Sequence, residues 1–342
     1  MNPKVKRRYY PKLRVYGFVF FAILIIFFGT KIILWGQRVS KDTGLSPATI
    51  TGLLFDSGAP LKYFEGRTNV LLMGIGGGSH QGADLTDTIM VVSVNTVGHS
   101  LGLLSIPRDI WSDTLKDKIN SAYHYGEVKK AGGGIILAKV VIEDVVGIPI
   151  HYGLVVDFSG FEDIIDRIGG IQMSVPEAFT DTQFPIEGKE NDDCSGDPQF
   201  ACRYKTVQFD AGLQRMTGEQ ALTYVRSRHA QGDEGSDFAR GRRQQDMLLA
   251  LKDQLTNPWI WLSLDRSRAL FSAFDRATDT DMNIGELLTA GKLISRISQE
   301  RTKKISIEQF LASPPLWMYG RYVLTPQNDY NEIHEYIQTE LQ

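Results

Sequence analysis

Short apolar runs separated by turns dominate the middle of the chain and predict the strands of a buried sheet. The strands are expected at NVLLM from Asn69, and over Thr88–Asn95, Leu101–Ile106 and His151–Asp157. The short connection VGHS between the second and third runs favours a hairpin. The first run leads into GIGGGSHQG, which predicts a glycine-rich turn at the end of that strand.

Helical periodicity fills the segments between and after these strands. Thr217 opens a T-x-x-Q capping box, which predicts a helix from Gly218 to about Tyr224. A longer helix follows, and Asn257-Pro258 ends it. The other predicted elements are helices over 120–130, 134–146, 158–168 and from 236 or 237 to about 255, a strand IQMSV, a polar loop or hairpin over 180–209, and a mainly helical tail over 259–342 with a short strand or two. This order predicts an α/β fold in which a mixed central β-sheet is flanked by helices.

The first 35 residues have the pattern of a membrane anchor. Residues 1–14 contain six Lys or Arg and no acid, and residues 15–34 are apolar except for Lys31. An apolar helix of this length spans roughly 30 Å, the thickness of the hydrocarbon layer. A cleaved signal peptide would have a shorter apolar stretch and a small-residue cleavage site, which WGQRVS fits poorly.

We therefore predict a cytoplasmic basic segment over 1–14 and a single-pass transmembrane helix over 15–35, retained as a signal-anchor in the cell membrane. The basic end stays inside, so the rest of the chain is extracytoplasmic. A stalk over 36–68 would lead to a folded domain over 69–256. The mainly helical part over 257–342 is expected to pack on that same domain.

The charge is unevenly distributed along the chain. Residues 1–38 have eight basic and no acidic side chains, so the remaining 304 residues have 29 basic and 40 acidic ones. A body with a net charge of −11 argues against nucleic acid as a partner, because nucleic-acid binding needs a broadly basic surface.

Cys194 and Cys202 are the only cysteines, and both fall in the predicted extracytoplasmic part, where disulfides persist. A C-x₇-C pair without neighbouring histidines is a poor zinc signal. We predict a structural disulfide between them.

Two aspartates stand at the ends of predicted neighbouring strands. Asp87 begins one strand, and Asp109 follows the next in the segment Pro107-Arg108-Asp109. A hairpin would bring both carboxylates close together, and Mg²⁺ needs one or two such ligands in addition to water and phosphate oxygens. A turn cap and an exposed ion pair would explain the same two residues, and the spacing alone leaves both interpretations open.

Basic residues cluster in a domain that is otherwise acidic. Arg226 and Arg228 would share one side if their segment were extended and would diverge if it were helical. Arg240, Arg243 and Gln244 share one face of the long helix. Together with Arg108 and Lys118, these guanidinium and ammonium groups suit the oxygens of a pyrophosphate.

The order of the motifs LLMG, TDTIMVVSVN, LLSIPRD, KINSAYHYG, VVDFSGFEDIIDRIGGIQMSV, GEQALTYVRSRH and DFARGRRQQ resembles the LytR-CpsA-Psr family of cell-wall glycopolymer ligases. The resemblance covers roughly residues 69–255. It implies an α/β/α core and a polyprenyl-pyrophosphate-linked glycan as donor. It further implies peptidoglycan or another wall acceptor, and Mg²⁺ or Mn²⁺ as the metal.

The resemblance also implies a role for each candidate residue. The metal-associated positions fall on Asp87 and Asp109, and Asp237 matches an acidic position considered as a base. The positions that contact pyrophosphate are Arg108, Lys118, Arg226, Arg228, Arg240, Arg243 and Gln244. The implied reaction is Mg²⁺-dependent transfer of a glycan phosphate to the acceptor, with Asp87, Arg108, Asp109 and Asp237 as the catalytic group.

One departure from the family pattern concerns the residues before Asp87. The usual Arg-Ser-Asp-Thr is here Leu85-Thr86-Asp87-Thr88, so one phosphate-binding arginine is missing. Either another cation takes its place or the head group is held differently. Two alternative functions remain open: a polyprenyl-pyrophosphate pyrophosphatase, or a non-catalytic envelope protein that binds glycans or regulates.

Overall fold

The structure is a computed structural model that describes residues 59–77, 82–189, 191–261 and 264–342. The described residues within 61–283 and 290–342 form one compact unit, and residues 59–60 and 284–289 belong to a second unit. The segments predicted as cytoplasmic (1–14) and transmembrane (15–35) lie outside the described residues, as does most of the predicted stalk (36–68). Within the described part, none of the helices has the length and apolar content needed to cross a bilayer.

Six strands form the central sheet, in the order β11-β6-β1-β2-β3-β12. Four two-stranded sheets surround it. The strands are β1 Arg67–Ile75, β2 Thr86–Asn95, β3 Ser100–Ser105, β4 Trp111–Ser112, β5 Asp117–Lys118, β6 Tyr152–Asp157, β7 Ile171–Val175, β8 Phe179–Pro185, β9 Tyr204–Phe209, β10 Gly212–Met216, β11 Thr278–Thr280, β12 Thr302–Ser306, β13 Leu311–Ala312 and β14 Thr325–Pro326.

The central sheet is mixed, as the sequence predicts. β1, β2 and β3 form an antiparallel meander, whereas β6 pairs with β1, and β12 with β3, in parallel. β11 closes one edge antiparallel to β6. The carboxyl ends of the four strands β1, β3, β6 and β12 and the amino end of β2 therefore lie on the same side of the sheet. We call this side the sheet edge, and open α/β sheets bind their ligands there.

Helices lie on both faces of this sheet. They are α1 Ala122–Lys129, α2 Gly134–Val146, α3 Phe158–Arg167, α4 Gly218–Arg226, α5 Asp237–Leu255, α6 Pro258–Trp261, α7 Leu264–Ala277, α8 Ile284–Ser295, α9 Leu316–Tyr319 and α10 Tyr330–Leu341. Inward residues of α2 and α10 pack with Leu71, Met73 and Val91 in one core. A second core joins α3, α4, α5 and α7.

Alternation along the strands explains the two faces. The side chains of Leu71 and Met73 lie on the face of the sheet that contacts the first core. Gly74 and Ser105 lie on the opposite face, where they contact the helices of the other layer. A Cβ on Gly241 of α5 would lie 2.6 Å from the Ser105 hydroxyl, so only glycine permits the helix to approach β3 so closely.

Most predicted elements are confirmed, with small shifts at their ends. The Thr217 capping box is present, but α4 continues to Arg226. A 3₁₀ turn over Ile119–Ser121 replaces the first turn of the helix that was expected from Asn120. Residues 180–209 form the β8–β9 hairpin, and the predicted Cys194–Cys202 disulfide closes its tip.

The tail contains more strands than the one or two that the sequence predicts. Residues 259–342 contribute β11 and β12 to opposite edges of the central sheet, and also β13 and β14. The segments TDT and TKKIS are short and largely polar, because an edge strand buries little of its surface. Their pairing with β6 and β3 depends on distant residues that local periodicity does not record.

Candidate functional site

The hairpin of β2 and β3 brings Asp87, Arg108 and Asp109 together at the sheet edge, as predicted. Met90 pairs with Ser105, so the start of β2 lies beside the segment that follows β3. The Arg108 Nη1 donates a hydrogen bond to Asp87 Oδ1, and its Nε lies 3.7 Å from Asp109 Oδ2. The guanidinium of Arg108 therefore lies between the two carboxylates.

Lys118 completes the surroundings of Asp109. The β4–β5 hairpin, in which Trp111 pairs with Lys118, turns the lysine back toward the strand end. Its Nζ donates to Asp109 Oδ1 at 2.5 Å, and the Asp109 side chain is only 10% exposed. Because both Lys118 and Arg108 contact it, the buried Asp109 carboxylate is doubly compensated.

The amino end of α5 supplies a second ion pair to the same edge. Ser236 caps the helix by accepting from Ala239 N at 3.1 Å. One turn into the helix, Arg240 Nη1 lies 3.0 Å from Asp237 Oδ1, and the Arg240 side chain is 9% exposed. The close packing of Gly241 on Ser105 fixes this turn of α5 against β3.

These residues line one cleft. Asp87 comes from β2, Ser105 and Pro107 from the end of β3, and Asp237, Arg240 and Gln244 from α5. Five sequence-distant predicted residues, Asp87, Arg108, Asp109, Asp237 and Arg240, thus converge at the cleft with Lys118 beside them.

The charges of this cluster act strongly on one another. Burial lowers the pKa of Arg108, but the carboxylates of Asp87, Asp109 and Asp237 together raise it above its ordinary value. Arg240 shows the opposite balance. Burial lowers its pKa, Asp237 raises it, and the positive charges of Arg108 and Arg228 lower it further. Together these effects lower the pKa of Arg240, and an anion in the cleft would offset the cost of burying its positive charge.

Arg228 reaches this region through a turn that a buried carboxylate holds. Asp181, which is 0% exposed, accepts hydrogen bonds from Ser227 Oγ at 2.6 Å, Arg228 N at 3.1 Å and His229 N at 3.2 Å. Burial raises the pKa of Asp181, but these three hydrogen bonds and a fourth from Gln183 N at 2.9 Å together lower it below its ordinary value. Asp181 therefore orients the turn that carries Arg228.

Arg226 is the last residue of α4, and Ser227 after it leaves the helix, so neither the fully extended nor the fully helical alternative describes this segment. Its guanidinium lies over the rings of Phe158, at 4.9 Å, and Phe184, at 5.9 Å. Phe158 in turn approaches Gly74 and Thr88, next to Asp87. The ring of Phe158 thus lies between Arg226 and the start of β2. Among the described residues, Arg226 forms no ion pair with the charged cluster.

Arg243 does not join the cluster, which corrects the prediction for it. Its Nη1 lies 2.6 Å from Glu234 Oε2, its Nη2 donates to Ser227 O, and its guanidinium lies 4.7 Å from the Phe179 ring. The side chain is 3% exposed. Arg243 is rotated roughly 60° around the helix from Arg240, on the side away from Gln244. It holds the loop before α5 against the core.

Gln244 lines the cleft, with its Nε2 donating weakly to Val225 O at 3.4 Å. The neighbouring Gln245 was not anticipated. Its Nε2 donates to Leu103 O at 2.9 Å and Ile305 O at 3.0 Å, which joins α5 to β3 and β12. The sequence shows two adjacent glutamines in a helix that has both polar and apolar residues. It does not show which of the two faces the sheet.

Tyr322 is a further neighbour that the sequence did not reveal. Lys118 Nζ lies 5.8 Å from the centre of its ring. Burial raises the pKa of Tyr322, and Asp237 and Asp109 raise it further, so the phenol lies near both carboxylates.

The donor atoms at the cleft suit a hard divalent cation. Asp87 and Asp237 each use Oδ1 for a guanidinium, and their Oδ2 atoms have no hydrogen bond among the described residues. In the same part of the chain, the carboxylates of this cluster do not gather three ligand atoms within 4.8 Å. Mg²⁺ takes only one or two protein carboxylates when phosphate oxygens complete its shell, so these residues fit such an ion.

The segment in which the family pattern has an arginine contains Leu85, whose amide donates to Gly82 O at 3.0 Å. One residue earlier, Asp84 Oδ2 lies 2.6 Å from His124 Nδ1 on α1. The ring of this histidine is partly exposed at the same edge of the sheet. His124 thus contacts this turn through Asp84.

A family model described as the LytR_cpsA_psr family matches residues 57–339. The chain is 29% identical over 246 residues to the polyisoprenyl-teichoic acid–peptidoglycan teichoic acid transferase TagV of Bacillus subtilis, a match that covers 70% of this chain and 56% of that protein. It is 32% identical over 196 residues to the regulatory protein MsrR of Staphylococcus aureus, covering 56% and 50%. The matched region thus spans about half the length of these relatives.

The fold has close counterparts among solved structures. The crystal structure of B. subtilis TagV aligns with a TM-score of 0.57 at 25% identity, covering 82% of this chain and 98% of that one. A structure described as TagT bound to LI-WTA aligns with a TM-score of 0.56 at 22% identity, covering 82% and 94%. These likenesses agree with a mixed sheet flanked by helices.

Proposed function

The chain belongs to the LytR_cpsA_psr family, and on that premise we propose that it transfers a glycan phosphate from a polyprenyl-pyrophosphate carrier to a cell-wall acceptor. The acceptor would be peptidoglycan, as the name of the transferase TagV suggests for that relative. We place the reaction outside the membrane, at a domain held there by an amino-terminal anchor.

The observation that carries this proposal is the convergence of several guanidinium groups, one of them almost fully buried, at a cleft that carboxylates also line. Arg240 is 9% exposed, has Asp237 as its ion-pair partner and feels the like charges of Arg108 and Arg228. Such an arrangement costs free energy in the absence of an anion, because desolvated like charges repel. A pyrophosphate has the charge and the planar sets of oxygens that several guanidinium forks bind.

The chain's own residues can each be given a part in the reaction. Arg108, Arg240 and Arg228 would bind the pyrophosphate and stabilise the charge that develops on the departing phosphate. Lys118 holds Asp109, and both fix Arg108 in place. Asp237 would accept the proton of the acceptor hydroxyl through its Oδ2.

The bond changes follow from these roles. The acceptor oxygen forms a bond to the phosphorus that bears the glycan, and the phosphoanhydride bond to the lipid phosphate breaks. Polyprenyl phosphate leaves with the electron pair. Mg²⁺ or Mn²⁺, held by Asp87 together with Asp109 or Asp237, would supply further neutralisation of the phosphate charge.

The test uses the full chain in lipid nanodiscs with a polyprenyl-pyrophosphate-linked glycan and peptidoglycan. We expect release of polyprenyl phosphate and covalent attachment of the glycan only with Mg²⁺ or Mn²⁺. Arg240→Gln and Asp87→Asn should lower kcat/KM by about 100-fold or more, the size expected for lost charge stabilisation. Arg301→Gln is the matched control, because this exposed arginine precedes β12 at the end opposite the cleft.

Other outcomes would point elsewhere. Equal release of polyprenyl phosphate with and without peptidoglycan, with the glycan free in solution, would mean a pyrophosphatase. Tight binding of the donor with no product, weakened but otherwise unchanged in Arg240→Gln, would mean a binding or regulatory protein. Either result would overturn the proposed transfer.

A further inference from the structure

A group of apolar side chains stands fully in solvent beside the cleft. Three consecutive residues of the short helix α9 are exposed, Leu316 by 61%, Trp317 by 80% and Met318 by 52%. Soluble surfaces rarely leave a tryptophan and two large aliphatic side chains adjacent and uncovered, and such patches mark interaction sites. We name Leu316, Trp317 and Met318 the apolar tip.

Side-chain contacts hold the segment of the apolar tip next to the candidate site. Tyr319, the last residue of α9, packs on Trp111 with ring centres 4.8 Å apart. Arg321 Nη1 donates to Asp117 Oδ1 at 2.8 Å. Tyr322 lies against Lys118, which pairs with Asp109. The tip is therefore held by the β4–β5 hairpin, the same element that positions Lys118 in the candidate site.

The rim around the tip has the composition of a membrane interface. Tyr125 and Tyr322 are 39% and 48% exposed, and Tyr125 shares Asp117 with Arg321. Tryptophan, tyrosine and arginine are enriched at the boundary between hydrocarbon and water, and leucine and methionine supply apolar area for insertion.

We infer that the apolar tip inserts into the outer leaflet of the lipid bilayer and so holds the cleft against the membrane surface. This inference rests on the proposed function, in which the substrate is a diphosphate whose prenyl chain is dissolved in that bilayer. The diphosphate lies at the headgroup level, and the segment of the tip is linked to the charged cluster by the contacts of Tyr322 with Lys118 and of Lys118 with Asp109. Insertion would bring Arg108 and Arg240 to the depth of the substrate's charged group.

The far end of the molecule offers a matched control. α5 begins at the cleft with Asp237 and runs 19 residues, roughly 28 Å, to Leu255. Trp259 follows in α6 and is 73% exposed, as accessible as Trp317. If one end of the domain rests on the bilayer, Trp317 enters lipid and Trp259 stays in water.

The first test measures insertion without turnover. The full chain is placed in nanodiscs made of phosphatidylcholine brominated near the headgroup end of its acyl chains, which quenches tryptophan fluorescence. We expect Trp317→Phe to remove a quenched component that Trp259→Phe leaves in place. Identical quenching of the two variants would overturn the inference, whether or not the transfer reaction is found.

The second test asks whether insertion serves the reaction. In the variant with Leu316→Ser and Met318→Ser, kcat/KM for the bilayer-embedded donor should fall about tenfold, which corresponds to about 1.4 kcal/mol. A water-soluble donor with a shortened prenyl chain should be turned over at the wild-type rate. An equal loss with both donors would mean that the tip contacts the acceptor or supports the fold, and it would overturn the inference.

Discussion

Arg243 and Glu234 form an ion pair in which Nη1 lies 2.6 Å from Oε2, with the arginine side chain 3% exposed. The same guanidinium also donates to the carbonyl of Ser227 and covers the ring of Phe179. Arg243 therefore joins the loop before α5 to the turn after α4. It does so from a position that the sequence grouped with the arginines predicted to bind pyrophosphate.

Replacing Arg243 should destabilise the fold strongly. Arg243→Ala would leave Glu234 without its closest partner and open a space beside Phe179, so we expect a loss of about 3–5 kcal/mol in the free energy of unfolding. Arg242→Ala is the matched control. Arg242 is 55% exposed and 3.9 Å from the same Glu234, so its loss should cost at most about 1 kcal/mol. Urea denaturation measures both, and equal losses would contradict this account of Arg243.

The sequence could not distinguish the buried Arg243 from the exposed Arg242. Helical spacing correctly placed Arg240 and Gln244 on one face, because that periodicity is local. It could not say which arginine of the run would face a buried loop, since Glu234 and Ser227 come from segments without regular periodicity. The same limit hid Gln245, whose partners Leu103 and Ile305 lie on distant strands.

The adjacent glutamines should respond differently to the same change. Gln245→Leu removes two hydrogen bonds and leaves buried carbonyls of β3 and β12 without that donor, so the free energy of unfolding should fall by about 1–3 kcal/mol. Gln244→Leu loses one bond of 3.4 Å and should cost less. Because Gln244 lines the cleft, its change should instead raise KM for the donor. Thermal denaturation with steady-state kinetics separates the two effects, and a larger stability loss in Gln244→Leu would be inconsistent with the structure.

The disulfide should matter for the hairpin tip and not for the reaction. β8 ends at Pro185 and β9 begins at Tyr204, and Cys194 and Cys202 lie in the loop between them. Closing so short a loop contributes at most about 2–3 kcal/mol. In the double variant Cys194→Ser, Cys202→Ser we expect faster proteolytic cleavage between residues 186 and 203 with kcat/KM unchanged. A loss of turnover in a variant that remains folded would show that the β8–β9 loop takes part in substrate binding.

The strand-end site was largely predictable because hairpin geometry is local and fixes its own register. Asp87 and Asp109 are 22 residues apart, and the antiparallel pairing of β2 with β3 alone brings their segments together. Asp181 was not predictable in this way. It belongs to a polar strand of the β8–β9 hairpin, and only tertiary packing places its carboxylate under the amides of residues 228 and 229.

Asp181 should make stability depend on pH in acid. Its folded pKa lies below its unfolded value, because hydrogen bonds from Ser227, Gln183, His229 and Arg228 together outweigh the effect of burial. The stabilisation it provides is therefore complete above the unfolded pKa, about 4, and is lost as the pH falls through the lower folded value. Asp181→Asn removes the charge that these donors stabilise, so we expect a loss of about 2–3 kcal/mol at pH 7.

The difference between wild type and Asp181→Asn should shrink as the pH falls below about 4, since both then present a neutral group to the same donors. Urea unfolding of both proteins from neutral to acid pH measures this convergence. Asp253→Asn, at an exposed carboxylate near the end of α5, is the matched control and should lose little stability at pH 7. Since Asp181 holds the backbone of Arg228, its variant should also raise KM for the donor. A constant difference at every pH would show that Asp181 acts through its shape and not through its charge.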